Sequence, residues 1–173
     1  MTFQEIFNHF KTLVYNMTLH YTNNVEDAEE VSQDVFIKIH KHMGSFKNQS
    51  ELKTWIYRIT VNQCLDFLKS KNRKWQHLFF SINQFNSKES YDQPINIKHP
   101  GIEIEEKEGL QQLMRNIYNL PEKQKTVLIL LKIEGLSQKR VAEIMEIKEK
   151  AVESLFQRAK QNLKKAVTGK ENK

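Results

Sequence analysis

Cysteine is nearly absent from these 173 residues: Cys64 stands alone. An internal disulfide is therefore impossible, and a reducing cytoplasmic setting is expected. Glycine, at 5, and proline, at 3, are also scarce, and strand-like alternation is hard to find, which tilts the fold toward helix. No apolar run approaches the roughly 18 residues that a membrane span requires, so no membrane insertion is expected. The opening MTFQEIFNHF has no charged segment leading into an apolar one, so a secretory signal is not expected either. A phosphate-cradling glycine loop, HExxH and CxxC are all missing. His40 and His42 lie two apart, on different sides of a helix, and make a poor metal pair. No catalytic constellation stands out, so the expectation is a protein that is not an enzyme and has no metal or cofactor.

What the chain does have is positive charge in blocks. The net charge is +6. Residues 1–44 hold three basic and six acidic side chains, and residues 45–77 hold seven and two. Residues 78–109 return to three and six, and residues 110–173 hold fourteen and seven. Two cationic blocks between acidic ones suggest two separate contacts with a polyanion, although solvated lysine-rich faces look the same by composition.

The periodicity is helical. Phe3, Ile6, Phe7, Phe10, Val14 and Met17 form one apolar stripe. Asn24 is placed to cap a second helix, with Glu26 and Asp27 suiting its first turn. That helix buries Ala28, Val31, Val35, Ile39 and Met43, and Gly44 is expected to close it. After the polar loop SFKNQS, Ser50 is expected to cap a third helix. Its inward residues are Leu52, Trp55, Ile56, Ile59, Cys64, Leu65 and Leu68, and it is expected to end in the basic run KSKNRK. Residues 75–109 lack a sustained period beyond a short turn at Leu78, Phe79 and Phe80, and read as a linker. So long a tether inside one domain is unusual, which argues for two domains, 1–74 and 110–173.

Period resumes at Leu110, Leu113, Met114, Ile117 and Leu120. Pro121 suits the first turn of the next helix, whose apolar side is Val127, Leu128, Leu131 and Ile133, and Gly135 ends it. Ser137 then caps a helix beginning at Gln138. In VAEIMEIKEKAVESLFQRAK the apolar spacing breaks and restarts out of phase, as in a helix-turn-helix. Val141 and Met145 face inward, and Ala142 stands where two helices approach most closely. Ile147 plugs the turn, and Val152 and Leu155 pack back, continued by Phe156, Ala159 and Leu163. The opposite face carries Lys148, Lys150, Glu153, Ser154, Gln157 and Arg158, long donors and acceptors of the kind a major groove accepts. Glu146 stands at a turn position that often requires positive φ. An ordinary helical hairpin has the same pattern.

DAEEVSQDVFIKIHKHM and SFKNQSELKTWIYRITVNQCLDFLKSKNRK together resemble region 2 of bacterial RNA polymerase sigma factors of the extracytoplasmic-function group. The matching positions include Asp27, Ala28, Glu29, Glu30, Val31, Gln33, Asp34, Phe36, Phe46, Thr54, Trp55, Tyr57, Arg58, Ile59, Asn62 and Asp66. LPEKQKTV, GLSQKRVAEIM and AVESLFQRAKQNLKK resemble region 4 of the same family. The resemblance implies an all-α fold of two small helical domains joined by a flexible linker. It also implies a factor that binds core RNA polymerase and promoter DNA, with an anti-sigma factor as a further partner.

On that resemblance, the second helix grips a coiled coil of the largest polymerase subunit through Asp27, Glu30, Gln33, Asp34 and Ile37. Phe46, Lys47, Asn48, Gln49 and Ser50 capture a flipped base of the minus-ten element. Lys53, Arg58, Asn62, Asp66 and Lys69 line the separated strand, with Trp55 and Tyr57 near the melted bases, although Trp55 also continues the core stripe. Lys148, Lys150, Glu153, Ser154, Gln157 and Arg158 read the minus-thirty-five element. Glu153 stands where the family often has a basic residue, and Leu155–Phe156 where a more polar pair is common, so base preference does not carry over. Two other readings stay open: a helix-turn-helix regulator that works without polymerase, and a helical adaptor that binds partners and not DNA.

Overall fold

A computed structural model describes residues 2–46, 51–82 and 104–168, and of these the side chains of 45, 74–82, 104–108, 110, 111 and 168 fall outside the description. The described residues hold helices and turns and no strand, as the composition led us to expect. They form two compact units, one of residues 2–46 with 59–82, the other of residues 51–58 with 104–168.

In the first unit, α1 (Phe3–Thr22) begins with a reciprocal cap. The Thr2 hydroxyl accepts from the Glu5 N–H, and the Glu5 carboxylate accepts from the Thr2 N–H at 2.8 Å. Asn23 takes the left-handed conformation, which asparagine tolerates, and lets the chain reverse. Asn24 then caps α2 (Val25–His42), its side-chain oxygen accepting from the Asp27 N–H at 2.8 Å. Ile6, Phe10, Val14 and Met17 of α1 are buried, as are Ala28, Val31, Val35 and Ile39 of α2. The buried Thr18 hydroxyl lies within bonding distance of the Ala28 carbonyl (3.0 Å) and the Ser32 hydroxyl (2.8 Å), pinning the two helices.

Three expectations are corrected here. Gly44 does not close α2 in a left-handed cap; the helix tightens into a 3-10 turn over Met43–Ser45 instead. The third helix, α3 (Leu52–Ile82), does not stop in the basic run but continues through Leu78, Phe79 and Phe80. Along α3 the buried positions are Thr54, Ile56, Tyr57, Thr60, Val61 and Cys64, while Trp55 and Ile59 are only half-buried. The expected cap at Ser50 lies outside the described residues.

In the second unit, α4 (Ile104–Tyr118) begins before Leu110, within the stretch read as linker. Ile117 and Leu120 join Leu128 and Ala159 in a core that Met114 and Leu163 flank, but Leu113 is exposed. Pro121 precedes α5 (Glu122–Leu128) at its cap, one position before the expected first turn. A π-helical turn, Ile129–Ile133, follows directly. Such a turn adds a residue and rotates what comes after. Ile129 and Leu130, at its start, are buried, while Leu131 is half-buried and Ile133 exposed. Gly135, at φ 65°, reverses the chain. Ser137 caps α6 (Gln138–Met145), and α7 (Glu149–Thr168) packs on both α5 and α6.

Candidate nucleic-acid interface

The α6–turn–α7 segment follows from its residues. The Ser137 hydroxyl accepts from the Arg140 N–H at 3.3 Å, which fixes the start of α6. Val141 and Ile144 are fully or nearly fully buried, and Ala142 is 7% exposed, small enough to let a neighbour close on it. At the turn, the N–H groups of Glu146 and Ile147 both reach the Ala142 carbonyl. Glu146 is left-handed, at φ 56°. The Lys148 carbonyl accepts from the N–H groups of Ala151 and Val152, at 2.9 and 3.2 Å, and so begins α7. Val152 and Ala159 are completely buried beneath α7, while Leu155 and Phe156 are half-buried. The ring of Phe156 lies 5.4 Å from the Lys132 ammonium and 5.5 Å from that of Lys160.

All six residues expected to read duplex DNA, Lys148, Lys150, Glu153, Ser154, Gln157 and Arg158, are exposed. Spacings of three and four put most of them on one side of α7, opposite Val152 and Ala159. Each is solvated, so an incoming ligand can form hydrogen bonds without first breaking internal ones. Lysine and arginine suit guanine edges or phosphates, glutamine suits adenine, and glutamate accepts from cytosine.

Along α3 the expected strand-binding residues fall in different settings. In the first unit, Asn62, Asp66 and Lys69 are exposed at spacings of four and three, a continuous polar strip. In the second unit, Lys53 is exposed, with its ammonium 5.9 Å from the Tyr57 ring. Arg58 is engaged: its guanidinium donates to the Glu143 carbonyl at 2.7 Å and pairs with the Glu146 carboxylate at 3.0 Å. Tyr57, near-fully buried, donates to the Glu134 carboxylate at 2.9 Å. Burial, with the neighbouring Glu134 charge, pushes its phenol well above the ordinary tyrosine range. Arg140 donates to the Thr54 hydroxyl at 2.6 Å and pairs with Glu51. Sequence reasoning missed these contacts, which join residues 77 to 89 positions apart and leave no local signal. Phe46 is half-buried, its N–H reaching the Met43 carbonyl at 3.3 Å. Lys47, Asn48, Gln49 and Ser50 lie outside the described residues.

On α2, Glu30, Gln33 and Ile37 are exposed, Ile37 at 51%. Asp27 pairs with Lys71, and Asp34 accepts from the Gln63 amide at 2.9 Å. Beside them Phe3, Phe7, Tyr15, Phe36 and Ile37 line an open groove of about 670 Å³ between α1 and α2. Among the described residues, no cluster of His, Cys, Asp or Glu suits a metal ion, and no helix is long and apolar enough to cross a membrane.

Residues 6–74 match Sigma-70 region 2, and residues 110–163 match Sigma-70, region 4. The chain is 30% identical over 135 residues to the ECF RNA polymerase sigma-E factor of Escherichia coli (strain K12), covering 78% of this chain and 71% of the relative. It is 26% identical over 164 residues to the ECF RNA polymerase sigma factor SigW of Bacillus subtilis (strain 168), covering 94% and 87%. The sigma factor RpoE of Bartonella quintana, solved in complex with the anti-sigma factor NepR, shares the fold, with a TM-score of 0.67 and 19% identity over 96% of each chain.

Proposed function

Since the chain belongs to the extracytoplasmic-function RNA polymerase sigma factors, we propose that it acts in the cytoplasm through two promoter-contacting regions, one at residues 1–74 and one at 110–173, with 75–109 as the connector. It is a transcription initiation factor that acts with RNA polymerase. The family does not favour a regulator that works without polymerase.

In this reading the exposed face of α2, with Glu30, Gln33 and Ile37 at its centre and Asp27 and Asp34 at its edge, grips the coiled coil of the largest polymerase subunit. Phe46 and the polar run Lys47–Ser50 take a base flipped from the minus-ten element; stacking and edge bonds offset the unstacking cost of a few kcal/mol. Lys53, Arg58, Asn62, Asp66 and Lys69 line the path of the opened strand. Lys148, Lys150, Glu153, Ser154, Gln157 and Arg158 enter the major groove at the minus-thirty-five element. The chain supplies recognition and strand capture, and the polymerase supplies the chemistry. An anti-sigma factor covers these surfaces when transcription is off.

The observation that carries the reading is the solvated donor face of α7, set over the buried Val152 and Ala159 and following the Ala142 crossing. Run-off transcription with purified core polymerase on a genomic fragment library tests it. The expected result is discrete transcripts that need both the chain and the core enzyme. Tight promoter binding by the chain alone, unimproved by core enzyme, refutes it.

A further inference from the structure

On the exposed side of α7, Lys150, Gln157 and Arg158 can all donate hydrogen bonds, and Glu153 stands among them as a carboxylate. It lies three residues after Lys150 and four before Gln157, so the three side chains are neighbours along one strip of the helix. A carboxylate on a face that meets a polyanion is repelled by every phosphate it approaches. Its presence there calls for a cause.

Two local causes fail to supply one. An acid suits a helix start, but the pull of the dipole fades within the first turn. In α7 Glu149 holds that place, and Glu153 comes one turn later. An acid can also pair with a cation one turn away, as Lys150 is. Yet among the described residues no ion pair or hydrogen bond engages the Glu153 carboxylate. The side chain is exposed, with both oxygens open to an incoming donor.

The chemistry of the major groove is restrictive for such a group. An ionised carboxylate only accepts hydrogen bonds. Guanine presents acceptors there, and thymine an acceptor and a methyl group; the amino donors are cytosine N4 and adenine N6. Opposite guanine or thymine the carboxylate would lose water and gain no donor, which is costly. Adenine sets its N7 acceptor beside the N6 donor, a pattern that an amide such as that of Gln157 matches and a carboxylate does not. Cytosine offers its amino group without that neighbouring acceptor, and so suits Glu153 best.

We infer that Glu153 determines specificity within the upstream element: its carboxylate accepts from the N4 amino group of one cytosine in the major groove and selects against guanine or thymine in that place. The inference rests on the major-groove role proposed above for α7.

The test uses holoenzyme assembled from core polymerase and the full-length chain, wild type or carrying Glu153→Ala, Glu153→Gln or Glu153→Lys. Each holoenzyme selects from promoter fragments randomised across the minus-thirty-five element, and its affinity is then measured for every base at each selected position. Preference is a ratio of affinities, so the altered net charge of the variants cancels. The wild type is expected to require cytosine at one position and to lose about tenfold in affinity when it is replaced, an ordinary cost for one mismatched pair. Glu153→Ala is expected to bind all bases there almost equally and to keep its preferences elsewhere. Glu153→Gln is expected to turn that one preference to adenine, and Glu153→Lys to guanine. Core-polymerase affinity, expected to be the same for all four proteins, reports that the variants are folded. A cytosine preference that survives in Glu153→Ala overturns the inference, and so does a gain or loss spread evenly over every upstream sequence, the mark of charge repulsion alone. In those cases the wild type still selects an upstream sequence, and the major-groove role of α7 stands. A wild-type holoenzyme that selects no upstream sequence at all removes that role together with the inference.

Discussion

The amide of Gln63 on α3 donates to the carboxylate of Asp34 on α2 at 2.9 Å. Together with the Asp27–Lys71 pair, it shows that two acids of the proposed polymerase face also hold the first unit together. Glu30 and Ile37, by contrast, stand exposed. The two roles are therefore separable by substitution. Glu30→Lys and Ile37→Asp are expected to weaken core-polymerase binding by about tenfold or more, roughly 1.4 kcal/mol. Their effect on stability is expected to stay within about 0.5 kcal/mol. Gln63→Ala is expected to do the opposite, costing about 1 kcal/mol of stability with polymerase affinity kept. Thermal melts beside a polymerase pull-down titration decide this. Parallel losses in all three variants would remove the division.

Gly135 and Glu146 share the left-handed conformation, at φ 65° and 56°, and answer substitution in opposite ways. A Cβ added at Gly135 meets no atom within 4 Å, so any penalty is purely conformational. Gly135→Ala is expected to cost about 1–2 kcal/mol, a drop in melting temperature of about 4–8 °C per kcal/mol for a unit of this size. Glu146→Gly relieves the same strain and gives up an exposed ion pair worth about 0–1 kcal/mol. It is expected to leave stability unchanged or slightly raised. Urea melts of the two variants check the pair, and a loss at Glu146→Gly as large as at Gly135→Ala contradicts the strain argument.

The features legible in the sequence were those that a local rule governs. The caps at Asn24 and Ser137, the crossing at Ala142 and the left-handed site at Glu146 each depend on residues within one or two turns. The π-helical turn at Ile129–Ile133 was not legible, because a run of apolar residues fits either register until tertiary packing chooses Ile129 and Leu130. Trp55 and Tyr57 lie two apart, and periodicity favoured the larger apolar ring. The structure buries Tyr57 because Glu134 satisfies its hydroxyl, a partner 77 positions away. The exposed face of α7 was readable because solvation needs no partner; the engagement of Arg58 was not, because it needs two.

Alkaline pH probes that same tyrosine. Burial, with Glu134 adding its charge and accepting the hydrogen bond, raises the Tyr57 phenol above its unfolded value, and burial alone raises Tyr118. The folded chain thus holds both protons more tightly than the unfolded one. Their contribution to stability is complete below the unfolded value of about 10 and is lost as pH climbs toward the folded values. The second unit is expected to melt at a steady temperature up to about pH 10 and lower above it. Tyr57→Phe is expected to cost about 0.5–1.5 kcal/mol at neutral pH through the lost bond and to flatten the alkaline decline. Tyrosinate absorbance during pH titration checks it, and two tyrosines ionising at ordinary values in the folded protein would contradict the burial argument.

Lys150 and Arg158 offer the sharpest test of the reading role proposed for α7. Both are exposed on α7, away from the buried Val152 and Ala159, so removing either leaves the core intact. If a side chain meets a phosphate, its loss weakens binding alike for every upstream sequence and lowers the slope of log K against log salt by about 0.9. If it meets a base edge, its loss costs about 1–3 kcal/mol and relaxes preference at one position while the slope holds. Lys150→Ala and Arg158→Ala are each expected to weaken holoenzyme binding at the minus-thirty-five element in one of these two ways, with core-polymerase affinity unchanged. Salt titrations on a panel of single-base upstream variants assign each residue to phosphate or base. A holoenzyme whose promoter affinity ignores both substitutions would leave the α7 face without a role in reading DNA.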